Sequence, residues 1–319
     1  MELPTLNDVL AARPRVYARM QASPLLRHPL LDAWTGADVW VKHENHNPTG
    51  AFKVRGGLNL VAQLSADERR RGVISASTGN HGQSMALACG IHGVACRIVV
   101  PVGSNPGKMA AMRAFGAEVI EHGRDYDEAR EEVEAMAARD GSRYVHSANE
   151  PQLMAGVGTY ALEIFEQLPD VDVIFVPVGG GSGASGCCVV RRALGSRARI
   201  IGVQAERADA FTRSWRGSER VVGAKADTLA EGVATRVTFD LTFPLLKAEL
   251  DDMVTLTEDE LVDGMRAALT CTHNLAEASG AATLAAARQY AGRVRGKKVA
   301  CVMSGGNIAA ATLRRIVAE

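Results

Sequence analysis

Short apolar, β-branched runs alternate with longer Ala-rich stretches along nearly the whole chain. The runs are Val39–Val41, Val73–Ser75, Arg97–Val100, Glu118–Ile120, Val173–Val176, Ile200–Gln204 and Val299–Met303. Between them the pattern predicts helices over 51–64, 83–91, 107–115, 125–139, 152–167, 186–194, 258–272, 279–291 and 307–318. Strands separated by helices pair parallel, because a helical crossover carries the chain back to the starting end of the sheet. Most of the runs are apolar throughout, which fits strands buried on both faces. The expected class is α/β, with parallel-rich sheets flanked by helices. Three or four strand–helix units fall within 66–147 and suffice for a small domain; 1–65 with 148–319 would form a larger one. The segment 205–250 is the least regular and is expected to be loop-rich.

Charge and composition exclude several classes of function. The 36 Lys+Arg balance 36 Asp+Glu, which removes a global electrostatic case for nucleic acid or an anionic membrane. Aromatic residues are 5% of the chain, too few to suggest a base-stacking platform. No apolar run reaches the roughly 18 residues of a membrane span. The opening MELPTLNDVLAARPRV lacks a basic segment followed by an apolar one, so no secretory signal is expected. The cysteines Cys89, Cys96, Cys187, Cys188, Cys271 and Cys301 form no CxxC pair. Reduced, buried thiols in a cytoplasmic protein are the expected state, with disulfides or a thiolate nucleophile as alternatives.

Four segments carry chemistry. In Pro48-Thr49-Gly50-Ala51-Phe52-Lys53-Val54-Arg55-Gly56-Gly57 a turn leads into a helix with Lys53 in its first turn. A cation at the positive end of a helix dipole has a depressed pKa, which suits an amine nucleophile or base; an ordinary exposed Lys is the alternative. Ser75-Ala76-Ser77-Thr78-Gly79-Asn80-His81-Gly82-Gln83 follows a buried strand and opens a helix. Such a junction offers backbone N–H groups and small hydroxyls to a carboxylate, or is simply a capped turn. Gly179-Gly180-Gly181-Ser182-Gly183 follows the strand Val173–Val176, and its backbone is free to close on a phosphate. It matches neither dinucleotide nor triphosphate loop signatures, so a single terminal phosphate fits best, with a ligand-free glycine turn as the alternative. Ser304-Gly305-Gly306-Asn307 ends the strand Val299–Met303, where α/β proteins bind ligands.

In this order the four segments are the parts of a pyridoxal phosphate site. The chain resembles the fold-type II pyridoxal-phosphate enzymes, in the threonine/serine dehydratase and serine racemase branch. The resemblance runs from Ser23-Pro24-Leu25 to Ser304-Gly305-Gly306-Asn307 and is carried by GAFKVRG, STGNHGQ and GGGSG. It implies a two-domain, tryptophan synthase β-like fold, with 66–147 as a mobile substrate-loop domain. It implies that Lys53 bonds to the cofactor and that Phe52 packs beside the ring. Ser77, Thr78, Asn80 and His81 would grip the substrate carboxylate, with Asn80 also reaching the phenolic oxygen. Gly179, Gly180, Gly181, Ser182 and Gly183 would hold the phosphate, and Ser304 would face the pyridine nitrogen. The implied reaction is elimination from a β-hydroxy amino acid such as L-threonine, L-serine or a bulkier 3-hydroxy amino acid, giving a 2-oxo acid and ammonia. A racemase with side elimination, a β-replacement synthase and a non-catalytic relic of the fold are the other readings. GNHGQ argues against the synthase, and retention of Lys53 against the relic. A cytoplasmic homodimer acting on a small amino acid is expected.

Several positions depart from the pattern. Thr78 stands where racemases carry Ser and many threonine dehydratases carry Ala. Ala148 stands where the family often has a pocket-facing Asn, so a wider pocket is expected. Glu206 matches the start of the usual divalent-metal site, but Thr212 replaces its acidic partner, so no metal is expected. The end at Glu319 leads to the expectation that no isoleucine-sensing regulatory domain follows.

Overall fold

The computed structural model describes residues 2–318. The outermost residues of the expected domain division, Met1 and Glu319, lie outside the described residues. Ten strands are present among the described residues: β1 Leu25–Arg27, β2 Asp38–His43, β3 Val73–Ala76, β4 Cys96–Val100, β5 Glu118–Glu121, β6 Arg143–Tyr144, β7 Val173–Pro177, β8 Arg199–Ala205, β9 Asp252–Leu256 and β10 Lys298–Met303. They form a six-stranded sheet in the order β1-β2-β10-β7-β8-β9 and a four-stranded sheet in the order β5-β4-β3-β6. Every pairing is parallel except β1 with β2. Val299 of β10 stands opposite Val39 on one side and Val173 on the other. Residues 173–176 are all buried, as an unbroken apolar run in a covered central strand requires.

Each of the seven expected runs is a strand, extended by a residue or so at its ends. The short strands β1 and β6 were not expected, and neither was β9, whose DMVTL sequence mixes polar with apolar residues. The helix Leu6–Tyr17 was also missed. Thr5 and Asp8 close a capping box at its start, and Pro14 sits inside it. The expected loop-rich segment does contain the helices Ala210–Arg216 and Thr242–Glu249, with the irregular stretch between them.

Small residues bring the site-bearing helices together. The helix Lys53–Ala62 packs between the helices Asn80–His92 and Pro151–Gln167. A Cβ on Gly57 would lie 2.8 Å from the Ser84 carbonyl oxygen, and one on Gly156 would lie 2.4 Å from that of Arg55. Either would push the helices apart.

The same helix carries a buried ionic cluster that the sequence reading did not single out. Lys42, Glu44, Arg55 and Glu163 are each at most 1% exposed. Arg55 Nε donates to Glu44 at 2.7 Å and Nη1 to Glu163 at 2.6 Å. Lys42 Nζ donates to Glu163 and, at 2.6 Å, to the Ser23 carbonyl. Tyr17 and Ser23 hydroxyls donate to Glu163 and Glu44. Two cations thus meet two anions, with the remaining lone pairs occupied, which is the condition under which burial of charge is tolerated.

Candidate active site

Lys53 begins its helix directly after Phe52, whose N–H donates to the Ser304 carbonyl at 3.0 Å. The Lys53 Nζ donates to Ser182 Oγ at 3.0 Å and to the Ser147 carbonyl at 3.4 Å. Among the described residues no carboxylate pairs with it, and burial pulls its pKa down to about 8. Roughly a tenth of it is therefore uncharged amine at pH 7, and half near pH 8. The Phe52 ring lies 5.1 Å from Nζ and meets Tyr160 edge-on. In the protein free of bound groups, modification of Lys53 by an aldehyde should rise with pH about a midpoint near 8, because only the neutral amine attacks. Peptide mapping of the adduct across pH checks this; a midpoint near 10.5 would contradict it.

The glycine loop follows β7. The first N–H of its helix to find a helical partner is that of Ser185, donating to Gly181 O at 2.9 Å. The preceding N–H groups therefore face a ligand or solvent. Gly181 has φ +87°, a conformation that L side chains resist. A Cβ on Gly179 would lie 2.3 Å from the Gly232 carbonyl oxygen, and one on Gly183 would lie 3.1 Å from Tyr160 Oη. The loop is a cradle of backbone donors with room only for glycine, and an anionic group such as a phosphate fits its chemistry.

The loop after β3 carries Ser77, Thr78, Asn80 and His81. Ser77 Oγ accepts N–H bonds from Gly79 at 3.1 Å and Gly82 at 2.8 Å, which leaves its O–H to donate. Thr78 is half-buried beside it. The His81 imidazole is buried and bonded through Nε2 to Ser75 Oγ at 2.9 Å. Ser75 gives its own proton to the Val145 carbonyl, so His81 is the donor in that bond. Burial, with Lys53 and His146 adding, holds the imidazole pKa down to about 3. The His81 side chain is thus neutral and ties the loop to the end of β3.

Asn80 Nδ2 donates to Glu277, and Asn80 Oδ1 accepts from Asn307 Nδ2 at 2.8 Å. Ser304 is buried at the end of β10, with its Oγ 3.4 Å from the Ser279 carbonyl. Contacts therefore join all four sequence segments: Lys53 to Ser182, Phe52 to Ser304, and Asn80 to Asn307. Ala148 is fully buried, and a Cβ on Gly180 would lie 2.9 Å from its methyl. Phe239 stands beside the same glycine, 3.7 Å from such a Cβ. Thr212 gives both its N–H and its hydroxyl to Gln204 Oε1 at 2.8 Å, while Glu206 is exposed. Glu277 and Lys108 were missed by sequence reasoning. They come from other helices and carry no local motif, so no signal in the sequence pointed to them.

A family model described as pyridoxal-phosphate dependent enzyme matches residues 19–305. The L-threonine ammonia-lyase of Thermotoga maritima is 40% identical over 98% of this chain and 78% of that protein. The serine racemase of Schizosaccharomyces pombe is 31% identical over 96% of this chain and 95% of that protein. The processed form of threonine deaminase isoform 2 from Solanum lycopersicum superposes with a TM-score of 0.93 at 30% identity, over 99% of this chain and 90% of that one.

Proposed function

Because the chain belongs to the pyridoxal-phosphate dependent enzymes, we propose that its site performs β-elimination on a β-hydroxy amino acid, releasing a 2-oxo acid and ammonia. The substrate class is L-threonine, L-serine or a bulkier 3-hydroxy amino acid. The observation that carries the reading is the Lys53–Ser182 contact, which sets an amine of lowered pKa against the mouth of an anion cradle.

Pyridoxal phosphate, when bound, supplies a conjugated ring that withdraws electrons and acidifies the substrate Cα proton. The N–H groups and hydroxyl of Gly179, Gly180, Gly181, Ser182 and Gly183 would hold its phosphate, and Phe52 would pack beside the ring. Ser304 would serve the pyridine nitrogen; a hydroxyl, unlike a carboxylate, would leave that nitrogen largely uncharged. Asn80, fixed between Glu277 and Asn307, presents its amide to the phenolic oxygen. Ser77 O–H, Thr78 and the backbone around Asn80 and His81 orient the substrate carboxylate. Lys53, as the neutral amine, takes the Cα proton. The β-hydroxyl leaves with a proton as water, and water returned later to the enamine product releases ammonia, which balances the reaction. Movement of 66–147 against 1–65 with 148–319 would close the site and exclude water during these steps. We further read the protein as a cytoplasmic homodimer. The free thiols, five of them buried and Cys271 partly so, support a reducing compartment, and no described helix is long and apolar enough to cross a membrane.

A racemase reading also has an observation in its favour, since Thr78 retains a hydroxyl. Racemisation needs a proton donor on the face opposite Lys53. The β-methyl of Thr restricts χ1, and an error of about 1 Å in placing the hydroxyl costs roughly 10²-fold. Elimination is therefore expected to exceed racemisation, with L substrates preferred. Incubating each enantiomer in deuterated water and following the other by chiral chromatography checks this. Opposite-enantiomer formation faster than oxo-acid release would favour the racemase.

A further inference from the structure

Lys108 lies in the helix Pro106–Ala114, between β4 and β5, yet its side chain reaches out of that layer. It is 8% exposed. Its Nζ meets Glu231 Oε2 at 2.5 Å and Glu277 Oε2 at 3.6 Å. The other oxygen of Glu277 accepts from Asn80. On the way the Lys108 chain crosses the substrate loop: a Cβ on Gly79 would lie 2.9 Å from its Cδ and 3.3 Å from its Nζ. Glu231 begins the short turn Glu231–Val233, whose Gly232 carbonyl closes on Gly179 of the glycine loop. One cation thus touches the loop after β3, the carboxylate that holds Asn80, and the turn that backs the anion cradle. Burial alone would lower its pKa, but Glu277 and Glu231 outweigh burial and raise it, so it stays charged.

We propose that Lys108 is a positioning residue for the substrate carboxylate, fixing Gly79 and Asn80 and cancelling the charge of Glu277 beside them. This rests on the elimination reading above. The groups of the loop itself are neutral, and the carboxylate of an amino acid would arrive next to Glu277. Without Lys108 that carboxylate stands unpaired in a dry site, where like charges repel far more strongly than in water. The loss falls on substrate in its ground and transition states alike, so KM rises while kcat changes little.

The test uses the holoenzyme with Lys108→Met and Lys108→Arg. The Met variant is expected to raise KM for the best β-hydroxy amino acid by about 10- to 100-fold, with kcat within about threefold. The Arg variant is expected to recover KM to within about fivefold of wild type, since it keeps the charge. Cofactor absorbance and melting temperature are read on each, to show that the site and fold are intact. A Met variant with wild-type KM, or an Arg variant as impaired as Met, overturns the proposal. If the Met variant does not fold, Glu231→Gln serves. It leaves Lys108 to Glu277 alone and should lower KM by about twofold or more, because one negative charge is gone from beside the carboxylate site. An unchanged or raised KM there overturns the proposal. Absence of oxo-acid release by the wild type would count against the elimination reading instead. Lys108 is then still tested, by substrate affinity read from the shift in cofactor absorbance.

Discussion

Lys53→Ala is expected to abolish turnover, by about 10⁴-fold or more, while leaving the chain folded. The lysine contributes two things that no neighbour replaces: a nucleophilic nitrogen and a base on one face of the substrate. Ser182 and the Ser147 carbonyl hold the amine but have no basic nitrogen of their own. His81 is bonded to Ser75 and held neutral, so it does not substitute. Stability should change little, because the variant removes a half-buried amine that has no carboxylate partner. Oxo-acid release measures the first effect. Urea unfolding measures the second, and mass spectrometry after borohydride reduction should find the cofactor attached to wild type and absent from the variant. Retained elimination in the variant would remove Lys53 from the mechanism.

Glu163→Ala should have the largest effect on stability, about 3–5 kcal/mol by urea unfolding. Glu163 is the shared partner of Arg55 and Lys42, and its loss leaves two buried cations facing Glu44 alone. Stability of this order is a large part of what a folded chain has. Burial would raise the Glu163 pKa, but Arg55 and Lys42 more than offset it, and the net direction is down. A carboxyl whose folded pKa lies below its unfolded value stabilises above that unfolded value, near 4.3, and the gain is lost as pH falls through the folded one. The wild type should therefore lose this contribution below about pH 4, and Glu163→Ala should show a flatter acid limb there. A variant within about 1 kcal/mol of wild type would show that the cluster is energetically neutral.

The legible part of this protein is local. Residues 173–183 read as buried strand, glycine turn and helix start because each signal lies within a few residues of the next, and the structure builds them so. The same holds for Lys53 at its turn and Ser304 at its strand end. What joins these pieces is long-range and was not legible. Arg55 finds Glu163 across 108 positions and Lys108 finds Glu231 across 123, and neither spacing has a period. His81 shows the other limit. Its motif placed it in the substrate loop but did not show that its imidazole is spent on Ser75, which depends on where β6 and the Val145 carbonyl come to lie. The helix Leu6–Tyr17 was missed even though Thr5 and Asp8 form a capping box, because Pro14 reads as a breaker.

Elimination of the hydroxyl and amino groups of a β-hydroxy amino acid is the reaction proposed for this site. The most direct measurement incubates the pyridoxal-phosphate-loaded protein with serine, threonine, 3-hydroxyaspartate and 3-phenylserine in their separate stereoisomers, and quantifies 2-oxo acid and ammonia together. The account predicts equimolar oxo acid and ammonia from at least one L isomer, and none from the Lys53→Ala protein. Release of neither product from any member of the panel, with the cofactor bound, would contradict it.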